Sequence, residues 1–236
     1  MRGTVLAGRY TLVEPLGPGG GTWLARDEVL HRDVAVRRIP LTTARPADEP
    51  DTTTGGRPGS AAGERERVLA EARFAASLSH PGLVTVHDVL ASGPQPWVVM
   101  DLIRGGSLDR VTAAEGPLEP GRVAAMGLRL LDALAVVHAH GHVHGAVTPG
   151  NVLIAATGET VLAGLGTTTP DAAPAVDVRM LVTTLMFALD GGSMPRPDNA
   201  AASPALLPQP REAAALRAAL ARARDGAEVR ALLTEA

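Results

Sequence analysis

The first hundred residues contain short segments in which apolar and polar side chains alternate, separated by turn-forming residues. Alternation of this kind predicts β-strands, whereas apolar residues spaced three or four apart predict a helix. We predict a hairpin with a glycine-rich turn, followed by three more strands, at residues 9–16, 23–27, 34–39, 83–89 and 96–102. Residues 64–78 have the helical spacing and predict a helix after the third strand.

The second half of the chain has mainly the helical spacing. We predict helices at residues 107–114, 119–140, 176–190 and 211–235. Residues 42–63 are rich in Thr, Pro, Gly and Asp, offer almost nothing to bury and predict a disordered insertion. Strands followed by helices predict an α+β protein with a small β-rich lobe at 1–103 and a helical lobe at 104–236.

Composition narrows the possible functions. The net charge of −3 and the aromatic content of 2% argue against a nucleic-acid-binding surface. The chain has no cysteine, which excludes disulfides and thiolate chemistry, and all 22 basic residues are arginine, which excludes lysine chemistry. We find no apolar segment near the length of a membrane span and no signal peptide, so we expect a cytoplasmic location.

The chain contains several short motifs, and the order in which they occur is informative. They are VAVR at 34–37, LSHPGLV at 78–84, WVVMDL at 97–102, HVHGAVTPGNVL at 142–153 and DVRML at 177–181. Together they resemble the motifs of bacterial Ser/Thr protein kinases. The resemblance implies a two-lobed protein-kinase-like fold with a shortened helical lobe, the two lobes forming one domain. It also places His144, Leu165 and Asp177 in the internal stack of such a fold.

The resemblance also locates the expected catalytic positions. The family pattern H-R-D-[LV]-K-P-x-N-[IV]-L supplies the catalytic base from its Asp, and the later D-F-G motif supplies a metal ligand. Here Ala146 and Thr148 replace that Asp and Lys, and Gly164 replaces the metal-binding Asp. A methyl group cannot accept a proton, and glycine offers no ligand. We therefore expect no catalytic residue, no metal site and no enzymatic activity, as in a pseudokinase.

A vestigial nucleotide cleft is the second expectation from the resemblance. Its residues would be Gly17, Gly19, Ala35, Arg37, Glu71, Met100, Leu102, Asn151 and Leu153. Arg37 replaces the lysine that binds phosphates, and two interpretations stay open: an ion pair with Glu71, or a solvated arginine at the strand edge. We expect no cofactor beyond weak, metal-independent binding of ATP.

Three functional hypotheses follow. The first is a regulatory or scaffolding module that binds proteins, including a phosphothreonine-reading domain or an active Ser/Thr kinase. Such a kinase would modify Thr52–Thr54 or Thr167–Thr169. The second is a divergent Ser/Thr kinase or ATP-binding transferase with rearranged catalytic groups. The third is a sensor of a nucleotide or another small molecule that uses the old cleft.

Overall fold

The computed structural model describes residues 1–17, 19–41, 61–91, 93–164, 173–192, 211–223 and 225–235. These residues form two compact units. The first unit draws on residues 1–79 and 84–102, and the second on residues 80–83 and those from 103 onward. Residues 80–83 belong to the second unit because Leu83 bridges to Leu162 and the Gly82 carbonyl accepts a hydrogen bond from the Leu162 N–H.

The first unit is an antiparallel sheet with one helix. Its elements are β1 (Val5–Leu6), β2 (Tyr10–Pro15), β3 (Thr22–Asp27), β4 (Arg32–Arg38), α1 (Ala61–Ser77), β5 (Val86–Leu90) and β6 (Trp97–Asp101). The strands lie in the order β1-β2-β3-β4-β6-β5. Alternation along the strands buries a cluster that includes Tyr10, Val34 and Val99. Each of these three side chains is at most 1% exposed, so the cluster is a true core.

The second unit is mainly helical. Its elements are β7 (Gly105–Ser107), α2 (Leu108–Glu115), α3 (Pro120–Ala139), β8 (Val152–Ala155), β9 (Thr160–Leu162), α4 (Pro174–Leu189), α5 (Arg211–Leu220) and α6 (Gly226–Thr234). The three strands form a small antiparallel sheet in chain order. Helix α3 is the centre of the unit, because it packs against α4, α5, α6 and β9 and buries Leu130 and Leu134.

The α+β prediction is confirmed, and two local predictions are wrong. The single helix expected at 211–235 is two helices, because Asp225 begins α6 by accepting a hydrogen bond from the Glu228 N–H at 2.9 Å. Residues 61–63, expected in the disordered insertion, lie in α1, where three small residues extend the helix at its N-terminal end. The rest of that insertion, residues 42–60, lies outside the described residues, as do Thr52–Thr54, Leu165 and Thr167–Thr169.

Across the part of the chain that the structure describes, no helix is both long enough and apolar enough to span a membrane.

Candidate functional site

The loop between α3 and β8, residues 144–151, is held in place by the first turn of α4. The Asp177 side chain is fully buried there and its carboxylate accepts three hydrogen bonds. The backbone N–H of His144 donates to Oδ2 at 2.8 Å, and that of Gly145 donates to Oδ1 at 2.7 Å. His138, at the end of α3, donates from Nε2 at 2.7 Å. A buried carboxylate needs such donors, so Asp177 fixes the start of the loop.

Two more hydrogen bonds fix the middle of the loop. The Asn151 amide donates from Nδ2 to the Ala146 carbonyl at 2.9 Å. Thr184 lies further along α4 than Asp177, and its hydroxyl donates to the Val147 carbonyl at 2.9 Å. The backbone on both sides of Ala146 is therefore set by side chains, although Ala146 itself brings only a methyl group.

His144 is fully buried in this loop. Burial lowers the pKa of its imidazole to about 4. The charge of Asp177 raises this pKa in part, and His138 lowers it further. The ring is therefore neutral near pH 7. Its Nδ1 accepts a hydrogen bond from the Ala146 N–H at 3.3 Å, so the ring proton lies on Nε2. Nε2 has no hydrogen-bond partner among the described residues.

The Asn151 side chain fills the space that a side chain at position 164 would need. Gly164 has a φ of +87°, and a Cβ added to it would lie 2.8 Å from the Asn151 side chain. Any side chain at position 164 would therefore clash with Asn151 and strain the backbone. The family's aspartate at this position cannot be accommodated while Asn151 keeps its hydrogen bond to Ala146.

This pair of residues does not fit a dedicated Mg²⁺ site. Magnesium favours carboxylate oxygens, and this pair offers only the amide oxygen of Asn151, because Gly164 has no side chain. Within the described ranges no three acidic or histidine side chains cluster in a way that would hold a metal ion.

The remaining cleft residues of the first unit lie on its sheet and on α1. Ala35 on β4 is directly opposite Met100 on β6, and both are buried. Arg37 lies on the same face of β4 as Ala35, since side chains alternate along a strand. Burial lowers the pKa of the Arg37 guanidinium. The half-buried Leu102 follows β6 directly.

The glycine-rich turn joins β2 to β3. Gly17 and Gly19 lie in it. A Cβ added to either glycine would have no heavy atom within 4 Å apart from the glycine itself and its two neighbours in the chain. The turn is closed by the Leu16 N–H, which donates to the Thr22 carbonyl, and by the Trp23 indole, which donates to the Gly20 carbonyl; both distances are 2.8 Å.

Glu71 lies in α1 and accepts a hydrogen bond from Arg67, one turn earlier, at 2.7 Å. The Arg37–Glu71 ion pair stays a prediction. In the second unit, Leu153 lies on β8 opposite Val161, and Thr148 lies in the loop, where its N–H donates to the Ala146 carbonyl at 2.9 Å.

The sequence did not reveal the roles of Asp177, His138 and Thr184 in holding the loop. Their partners lie 32 to 39 positions away along the chain. Hydrophobic periodicity reports only near neighbours, so such contacts leave no pattern. Two signals pointed to Asp177: the family resemblance, which placed it in the internal stack, and its acidic side chain in a mainly apolar helix.

Comparison with known proteins identifies relatives of the chain. The protein kinase domain family matches residues 23–187. Serine/threonine-protein kinase PknB of Mycobacterium tuberculosis is 36% identical over 158 residues, which are 64% of this chain and 23% of that protein. Serine/threonine-protein kinase PknA of the same organism is 33% identical over 193 residues, which are 78% of this chain and 41% of that protein. The chain thus spans less than half the length of either relative.

These matches correct one prediction. We expected the chain not to be an enzyme, because Ala146 and Gly164 replace two catalytic aspartates. That expectation is wrong, since the matching family and both relatives are kinases and point to a transferase.

Proposed function

Because this chain belongs to the bacterial Ser/Thr protein kinase family, we propose that it is a divergent transferase that uses ATP with rearranged catalytic groups. The observation that carries the proposal is the loop at residues 144–151. Its backbone is fixed at His144, Gly145, Ala146 and Val147 by side chains from α4 and from the loop itself, and His138 of α3 holds the Asp177 carboxylate.

Phosphoryl transfer suits a site that positions its reactants well. Its transition state is loose, so catalysis comes mostly from positioning and electrostatic stabilisation. Ala146 cannot accept the proton of an attacking hydroxyl, so that proton would pass to water or to the transferred phosphoryl group. The expected reaction is slow.

The first unit offers positive charge from arginine for a nucleotide on its sheet. Arg37 lies on the sheet face that carries Ala35 and Met100, where the resemblance places a nucleotide. Its guanidinium stays charged in spite of burial and can pair with phosphate oxygens. The loop offers no dedicated set of ligands, so any Mg²⁺ present would be held by the phosphates of ATP and not by the protein. We propose that ATP binding is weak and depends little on added metal.

Two measurements test this proposal. Isothermal titration with ATP, with Mg²⁺ or with a chelator, should give similar millimolar to high-micromolar affinities in both cases. Incubation with γ-labelled ATP and Ser/Thr peptides should then transfer label to the peptides. Binding without transfer would favour a nucleotide sensor, and absence of both would contradict the proposal.

A regulatory role through protein contacts is a second proposal, supported by a braced apolar turn between β3 and β4. The Asp27 carboxylate is 1% exposed and accepts two hydrogen bonds from Arg9, each of 2.8 Å. It also accepts the N–H groups of Val29 and Leu30. The Arg9 guanidinium holds the pKa of Asp27 well below its usual range. The turn is rigid, yet Val29 is 64% exposed and Leu30 is 54% exposed.

Two large apolar side chains on a rigid turn form a surface that suits a protein partner. We propose that the partner is another Ser/Thr kinase in the same cytoplasm. Sedimentation velocity of the chain mixed with an active kinase domain from the same genome should show a complex. The double change Val29→Asp and Leu30→Asp should abolish that complex, and an unchanged complex would contradict the proposed surface.

A further inference from the structure

Strand β5 has a bulge beside the end of β6. Val86 lies opposite Met100 and Asp88 lies opposite Val99, so His87 is an extra residue without a partner of its own in the register. A bulge redirects the side chain of its extra residue, and bulges often lie beside functional sites.

The redirected His87 side chain contacts the last residue of β6. Its Nε2 lies 2.6 Å from Oδ1 of Asp101. The Asp101 N–H also donates to the carbonyl of Thr85 at 3.0 Å. The segment 85–87 therefore holds Asp101 at two points, one on the backbone and one on the side chain. The His87 side chain is 20% exposed and the Asp101 side chain is 44% exposed, so the contact is partly open to water.

This contact lies on the face of the sheet opposite the proposed nucleotide. Asp101 is paired with Val34, a core residue, whereas Met100 is paired with Ala35. Because neighbouring residues of a strand point to opposite faces, His87 holds the strand from the side away from Ala35 and Met100. His87 can therefore influence a nucleotide only through the backbone at residues 101–102.

We infer that His87 is a positioning residue that holds the backbone of residues 101–102 in the conformation that contacts a nucleotide base. This inference rests on the proposed function. Without His87, the Asp101 side chain would lose this contact, and the end of β6 would fray more readily where the chain enters the second unit at Ile103.

The test compares two substitutions at one position. His87→Ala removes the hydrogen bond, and His87→Gln keeps an N–H donor of similar reach. Asp33→Ala is the control, because it disrupts the exposed Arg26–Asp33 pair elsewhere in the same sheet. Hydrogen exchange at the Asp101 and Leu102 amides and the Kd for ATP are measured for each protein. We expect His87→Ala to speed exchange and to raise Kd roughly 3- to 10-fold, while His87→Gln and Asp33→Ala stay near wild type.

Unchanged exchange in His87→Ala would overturn the inference. A His87→Gln protein that behaves like His87→Ala would also overturn it, since the lost ring would then matter and not the hydrogen bond. If the wild-type protein binds no ATP, the proposed function fails, and amide exchange at Asp101 still decides whether His87 holds the strand.

Discussion

At the scale of single residues, Asp177 has the largest influence on the loop. One buried carboxylate accepts hydrogen bonds from two backbone N–H groups of the loop and from His138. Losing it would leave three donors, one buried and two partly buried, without their acceptor, which costs more than losing an exposed ion pair.

Replacing Asp177 with Asn should therefore destabilise the protein by about 2–4 kcal/mol, because the new amide presents an N–H group toward a backbone N–H. Urea unfolding measures the change. Asp109→Asn is the control, since Asp109 is an exposed residue in the first turn of α2. A loss below about 0.5 kcal/mol in the Asp177 variant would contradict the role given to this residue.

The low pKa of His144 makes stability depend on pH. The folded protein keeps the ring neutral down to about pH 4, whereas the unfolded chain takes up a proton near the ordinary value of 6.5. Between these values the unfolded state binds more protons, so stability falls as the pH falls from 6.5 toward 4. From pH 7 to pH 5 the loss from His144 should be about 2 kcal/mol.

His144→Phe keeps a flat aromatic side chain at this position but has no group that titrates. Urea unfolding at pH 7 and pH 5 should show a smaller difference for this variant than for wild type. Equal differences in the two proteins would show that other groups cause the acid sensitivity.

At the scale of elements, Gly164 shows how the end of β9 and the loop constrain each other. Gly164→Ala should cost about 2–3 kcal/mol, from strain at positive φ and from the clash with Asn151. Gly158→Ala is a matched control, because Gly158 has a φ of +91° and nothing within 4 Å of an added Cβ. Thermal or urea unfolding should rank Gly164→Ala clearly below Gly158→Ala. Equal costs would mean that Asn151 moves aside freely.

Asp225 is the N-cap residue of α6, the helix that follows the break after α5. Asp225→Ala should remove the hydrogen bond to the Glu228 N–H and destabilise the protein by about 1 kcal/mol. Glu66→Ala, at an exposed position within α1, is the control for loss of a carboxylate without a cap. If both variants unfold at the same urea concentration, the cap does not stabilise α6.

The longer elements could be predicted from sequence, and the shorter ones could not. Strands β2, β3, β4, β5 and β6 and helices α1 to α4 followed the hydrophobic pattern. Strands β1, β7, β8 and β9 have two to four residues each, too few to show a period. The split at Asp225 was missed because the Ala, Leu and Arg pattern continues across it.

The candidate site was only partly predictable. Motif order placed Ala146, Asn151 and Gly164 in one region, and the structure brings Asn151 into contact range of the other two. The hydrogen bonds of Asp177 and His87 depend on tertiary packing and on a bulge, and neither leaves a mark in the spacing of residue types.

At the scale of the whole molecule, membership of the kinase family points in one direction, and the residues that the resemblance places at the catalytic positions point in another. The family indicates a transferase, whereas Ala146 and Gly164 supply neither base nor metal ligand. The two are compatible if transfer depends mainly on positioning of the reactants and on electrostatic stabilisation, and such a transferase would be slow.

Transfer of label from γ-labelled ATP to Ser/Thr peptides tests this account most directly. Wild-type protein should be compared with an Ala35→Phe variant purified in the same way, because a large ring on this face of β4 should block the nucleotide. The account predicts slow transfer by the wild type and none by the variant. Equal labelling by both proteins, or no labelling by either at saturating ATP, would contradict it.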